Sequence, residues 1–126
     1  MEPGESLVQA AVRELHEEAG LTVDPADADL AAYLDFRFPH RPEWDMTSHV
    51  FVVRRWAGQV RECDEIRPEW FPVDALPYPQ MWDEGRVWLP HVLRGERVEL
   101  AATYGEDNDH LTAVSLRVVA EVDDRM

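Results

Sequence analysis

The stretch GESLVQAAVRELHEEAGL, residues 4–21, decides how this chain is read. Ser6 with Gln9 three residues on forms a capping-box pattern, the local signal for a helix start. Ala10, Ala11, Leu15 and Ala19 then favour helix, and Gly20 suits the left-handed position that closes one. On such a helix Glu14, Glu17 and Glu18 stand at i, i+3 and i+4 and share a face. Like charges at these spacings repel, so a helix that carries three of them is poised for a counter-ion. Mg²⁺, with Mn²⁺ as the other candidate, prefers oxygen ligands, and could hold substrate phosphates as well. Arg13 lies to one side, where it can pair with Glu5 or Glu17 and orient a ligand carboxylate. A solvated acidic face is the ordinary reading of a Glu-rich helix. A metal site is the alternative reading.

Composition narrows the class. At 126 residues and 45% hydrophobic, residues 1–126 suffice for one domain with its own core. Twelve Lys and Arg against 26 Asp and Glu give −14, a field that disfavours duplex nucleic acid and anionic membrane surfaces. A small nucleotide remains compatible, because a carboxylate-bound metal reverses the sign that phosphates meet. The lone cysteine, Cys63, excludes an internal disulfide and a zinc cluster and suits a reducing cytosol. With no apolar run long enough to span a bilayer and no signal pattern, the expectation is a cytoplasmic monomer. The five histidines show no i, i+4 ligand pairing, and His16 is expected to face solvent.

Beyond the helix, Leu21–Val23 reads as a short strand and Asp24-Pro25 as a turn. Leu30–Phe38 alternates as a strand, with Ala32, Leu34, Phe36 and Phe38 on one side. Pro39 to Pro42 breaks it, and Thr47–Trp56 is a second strand. A shorter extended piece runs from Gly58 to Glu62, and Glu69–Val73 reads as another strand. Pro79–Leu93 has helical character, and Arg97–Tyr104 with Leu111–Val119 forms a hairpin around Gly105 to Asn108. This order predicts an α/β or α+β fold with a mixed sheet.

The run E-x7-R-E-L-x-E-E-x-G-L, Glu5 to Leu21, resembles the Nudix box of pyrophosphohydrolases. The box opens on a Gly that would fall before Met1, so its first two positions are missing. Similarity extends further. Cys63-Asp64-Glu65-Ile66-Arg67-Pro68-Glu69-Trp70-Phe71 resembles S-D-E-M-R-P-C-W-F of the oxidised purine nucleoside triphosphatases, the 8-oxo-dGTP diphosphatases. Leu76 to Pro90, LPYPQMWDEGRVWLP, looks like their I-P-F-K-D-M-W-P-D-D-S-Y-W-F-P.

The resemblance implies an α/β/α sandwich with a mixed sheet whose first strand is missing here. It implies metal binding by Glu14, Glu17 and Glu18, with Arg13 in the catalytic group and either Glu17 or Glu65 assisting the water. The structural alternative for Glu65 is a loop carboxylate paired with Arg67. It also implies a base pocket at Met81-Trp82, where Trp82 would stack on a purine and Asp83 and Glu84 would supply acids. Gly85 stands where the family carries its second acid, which opens the base preference. Trp82 and Trp88 can equally be core aromatics, the reading favoured for Trp88, and Phe36 or Phe38 can line the pocket.

The family often reads K-V-E-P-G-E-S where this chain has Met1-Glu2-Pro3-Gly4-Glu5-Ser6. That implies a valine codon taken as the start and a longer cellular protein; the rival is a short form supported by a partner strand or degenerate. The expected activity is Mg²⁺-dependent hydrolysis of oxidised purine nucleoside triphosphates to the monophosphate and pyrophosphate, sanitising the nucleotide pool and averting DNA damage. Its rivals are a Nudix diphosphatase of another nucleotide-linked substrate and a truncated, non-catalytic nucleotide-binding domain.

Overall fold

The computed structural model describes residues 2–61 and 69–124. The chain is α/β: in order, helix α1 (Leu7–Ala19), strands β1 (Ala28–Arg37) and β2 (Met46–Val53), helix α2 (Gly85–Leu93), and strands β3 (Arg97–Tyr104) and β4 (Leu111–Val119). The strands form one mixed sheet in the order β2-β1-β3-β4, with β1 parallel to β3 and β3 antiparallel to β4. By their internal packing the residues group into two compact units, Met1–Leu30 with Phe51–Phe71, and Ala31–Val50 with Pro72–Met126.

In the first unit, α1 begins and ends as its residues dictate. Ser6 Oγ accepts from the Gln9 N–H at 3.2 Å, and the Gln9 side chain accepts from the Ser6 N–H at 2.9 Å. The reciprocal pair satisfies two amides that the helix itself cannot. Gly20, at φ 77°, turns the chain out of the helix. The expected strand at Leu21–Val23 shrinks to a single bridge, Thr22 to Ala57, each donating to the other's carbonyl at 2.9 Å. Gly58 makes that approach possible: it sits at φ 93°, and a Cβ there would lie 2.9 Å from the Gly20 carbonyl oxygen. Among the described residues of this unit Ala10, Ala19, Leu21 and Val23 are the buried apolar ones.

In the second unit the core is the alternating face of β1 and β3. Ala32 lies opposite Val98, Leu34 opposite Leu100, and Phe36 opposite Ala102. Val98, Leu100, Ala102 and Tyr104 are all buried, while the intervening Glu99, Ala101 and Thr103 are not. This is the period-two pattern of a sheet with one packed face. Val122 and, on α2, Val92 are buried as well.

Four other expectations are corrected. The second strand ends at Val53, leaving Arg54 to Trp56 outside it. Glu69–Val73 is not a strand: Pro72 has no amide hydrogen for a ladder, and its carbonyl instead closes a turn with the Ala75 N–H at 3.0 Å. Residues 58–61 are likewise outside any strand, and the rest of that expected piece lies outside the described residues. The helix foreseen from Pro79 starts only at Gly85. Pro77 and Pro79 lack donors, Tyr78–Gln80 makes one 3-10 turn, and Met81 is extended at φ −104°, ψ 168°. The Arg97–Tyr104 and Leu111–Val119 hairpin is as expected.

Candidate functional site

Helix α1 carries the acidic stretch. Arg13 grips Glu5 with two bonds, Nε to Oε2 at 2.8 Å and Nη2 to Oε1 at 3.1 Å, and gives Nη1 to Glu17 Oε2 at 3.1 Å. Glu14 stands 3.7 Å from the same guanidinium. The clamp joins the segment before the helix to its second turn. Arg13, assisted by the Glu2 amide, lowers the Glu5 carboxyl to about 2, and the Glu5 carboxylate raises Arg13 in turn.

A pH consequence follows from the lowered Glu5 value. Its contribution to stability is fully present above the ordinary carboxylate value of 4.5 and is lost as pH falls through about 2. In acid titrations followed by circular dichroism, Glu5→Gln should therefore be less stable than the parent by a constant margin above pH 4.5, closing toward pH 2. A margin unchanged down to pH 2 would mean that the clamp contributes nothing through its charge.

The three box glutamates are not equivalent. Glu14 and Glu18 flank one cleft of about 280 Å³, whose walls are apolar (Ala11, Val12, Leu15, Val23, Phe51 and Val53 among them). Glu17 is exposed and turned to Arg13. Among the described residues no three His, Cys, Asp or Glu side chains converge closely enough to hold a metal ion. The donor set nevertheless suits a hard divalent cation in kind: carboxylate oxygens only, two of them beside one cleft. His16 is exposed, as its place in the stretch suggests. Glu65, Arg67 and Cys63 lie outside the described residues.

The second unit holds a cavity of about 360 Å³. Phe36, Phe38, Trp44, Trp82 and Tyr104 give it aromatic walls, with Met46 beside them. Its acids are Glu43, Asp45 and Glu84. Phe38 organises the rings: Tyr104 stacks on it at 4.7 Å between centroids, while Trp44 and Trp82 meet it nearly edge-on at 5.6 and 5.9 Å. Glu84 is only 6% exposed. The Tyr104 hydroxyl donates to Glu84 Oε2 and accepts from the Glu84 N–H at 3.4 Å. Burial first, and the adjacent Glu84 carboxylate second, push the Tyr104 phenol far up.

Of the pocket residues named from sequence, Trp82 and Glu84 line this cavity. Asp83 is directed elsewhere: its Oδ2 accepts from the Leu111 N–H at 3.0 Å and its Oδ1 lies 3.3 Å from Arg86 Nε. Consecutive residues at the start of a helix point in different directions, and Asp83 is used to tie α2 to β4. Trp88 is half-buried, with its Nε1 buried and unpartnered among the described residues.

Tyr104, Trp44 and the acids Glu43 and Asp45 are cavity residues that sequence reasoning passed over. Trp44 and Asp45 follow Pro42 in what reads as a breaker, yet Asp45 Oδ1 accepts from the Phe38 N–H at 2.6 Å and folds that loop back over the ring. The missed signal is an Asp seven residues beyond a strand-ending Phe.

A mixed sheet, an acidic capped helix and an aromatic cavity with a buried carboxylate define a small α/β protein. Residues 1–92 match the NUDIX domain, and the chain belongs to that family. It is 39% identical over 97 residues to an oxidized purine nucleoside triphosphate hydrolase of Danio rerio, covering 77% of this chain and 60% of the relative. The Mus musculus protein of the same name is 32% identical over 119 residues, 94% of this chain and 74% of that protein. An 8-oxo-dGTP diphosphatase of Escherichia coli K12 is 41% identical over 76 residues, 60% of this chain and 55% of the relative. The chain thus spans between about half and three-quarters of the length of these relatives. In fold it is similar to the crystal structure of a mutator MutT protein from Bacillus halodurans. The TM-score is 0.78 at 23% identity, over 92% of this chain and 76% of that one. Among the described residues no helix is long and apolar enough to cross a membrane.

Proposed function

We propose that this chain hydrolyses oxidised purine nucleoside triphosphates of the 8-oxo-dGTP type to the monophosphate and pyrophosphate, with Mg²⁺ or Mn²⁺ as cofactor. We also take it to act as a single domain. The observation that carries the substrate reading is the aromatic cavity: a slot with Trp82 at its mouth and a nearly buried acceptor, Glu84, inside. A planar base with N–H donors on its edge suits both features. The names of the Danio rerio, Mus musculus and Escherichia coli relatives support the same class.

Glu14 and Glu18, flanking one cleft, would hold the cation, and Glu17 would join them on leaving Arg13. When bound, the cation would offset charge on the phosphate oxygens. Glu17 or Glu65 would accept a proton from the attacking water. The water oxygen bonds to one of the two phosphorus atoms of the α–β bridge as that atom's bond to the bridging oxygen breaks, and the bridging oxygen keeps the electron pair on the departing fragment. Arg13, held by Glu5, would keep Glu17 in place until the metal arrives.

The test is pyrophosphate release from 8-oxo-dGTP, dGTP and 8-oxo-dATP with Mg²⁺. An oxidised purine should be turned over with the highest kcat/KM. Equal rates on dGTP and 8-oxo-dGTP would instead favour a diphosphatase of broader substrate, a reading that Gly85 at the second acid position supports.

A further inference from the structure

Among the described residues Glu84 is buried without a counter-charge. The other two acids of the cavity each have a cation: Glu43 Oε1 accepts from Arg41 Nε at 3.2 Å, and Asp45 Oδ2 lies 3.7 Å from Arg37 Nη1. The nearest cation along the chain from Glu84, Arg86, is committed to Asp83. Among the described residues Glu84 itself is held by a neutral phenol, and no Lys, Arg or His lines the cavity. A carboxylate out of water with no cation is costly, and a ligand that supplies the cation recovers that cost. The walls point the same way. Trp44 and Trp82 meet Phe38 at 85° and 74°, so neither indole stacks on it. Arg41 already lies over Trp44, with Cζ 4.2 Å from the ring centroid: this wall accepts positive charge. Aromatic faces around a carboxylate select organic cations.

We infer that this cavity takes a purine ring that itself carries positive charge, of the N7-alkylguanine class, with Glu84 as its counter-ion. The inference rests on reading the cavity as a base subsite. It extends the proposed substrates from oxidised to alkylated purine nucleotides.

Three nucleosides separate charge from size: 7-methylguanosine (cationic at mildly acidic pH), guanosine, and 7-methyl-7-deazaguanosine, which keeps the methyl and loses the charge. Their affinities for the 126-residue chain can be read by calorimetry or by quenching of indole fluorescence. The cation should bind about tenfold or more tightly than either neutral ring, and Glu84→Gln should reduce it to their level. The wild-type comparison holds whether or not Glu84→Gln folds. Equal binding of 7-methylguanosine and its deaza analogue, a preference that survives in Glu84→Gln, or no binding by any of the three would each overturn the inference. Hydrolysis of 8-oxo-dGTP, assayed alongside, keeps the two readings apart. Turnover without cation preference sinks this inference alone, whereas cation preference without turnover upholds it and sinks the hydrolase reading.

Discussion

Replacing Glu17 with Gln is expected to lower kcat for pyrophosphate release by about 10²- to 10⁴-fold, the range for losing a general base. KM should change little, because the amide keeps the size of the carboxylate and Glu14 and Glu18 remain to hold the cation. The expectation follows from the unequal placement of the three box glutamates. Glu14 and Glu18 flank a common cleft, whereas Glu17 is exposed and accepts at Oε2 from Arg13 of the same helix. If Glu17 serves merely to brace Arg13, its removal would cost little, since exposed ion pairs contribute little to stability. Turnover near the parent rate, with the melting temperature unchanged, would therefore assign Glu17 to the helix surface and pass the base role to Glu65. Glu14→Gln gives the contrasting result: a higher Mg²⁺ concentration for half-maximal rate, with kcat recovered at saturation.

Tyr104→Ala is expected to destabilise the protein by about 3–5 kcal/mol, the range for truncating a buried aromatic. Tyr104 is 1% exposed, stacks on Phe38 at 4.7 Å and donates its hydroxyl to Glu84. Tyr104→Phe divides that loss. It keeps the stack and removes the donor, so buried Glu84 loses its partner, at a cost of about 1–3 kcal/mol. Urea denaturation of the two variants measures both parts. A Tyr104→Phe protein as stable as the parent would mean that the hydroxyl is not what holds Glu84. If the Glu84 placement depends on the phenol, Tyr104→Phe should also weaken nucleotide binding while leaving the rate at saturating substrate nearly unchanged.

The acidic helix was legible because its determinants are local. Ser6 with Gln9 and Gly20 mark its two ends within the sequence itself, and a 3.6-residue period puts Glu14 and Glu18 side by side. The β1 strand was legible from its alternation, and β3 with β4 from two extended runs on either side of the Gly105 to Asn108 turn. Trp82 and Glu84, singled out by resemblance to a family motif, line the cavity. Asp83, named with them, is directed elsewhere, because that motif fixes order along the chain, and the direction of a side chain at a helix entrance depends on what lies opposite. Here that is the Leu111 amide, 28 residues away.

By itself, then, the sequence determined the capped helix, the packed face of the sheet and the family, since each is written in spacings of a few residues. Tertiary structure alone decided the cavity. Phe38, Asp45 and Tyr104 come from separate parts of the chain, and their contact depends on the parallel register of β1 with β3 and on one loop bond from Asp45 to Phe38. It also decided that Glu84 is closed off with a phenol for a partner, because burial and hydrogen-bond partners are properties of neighbours in space.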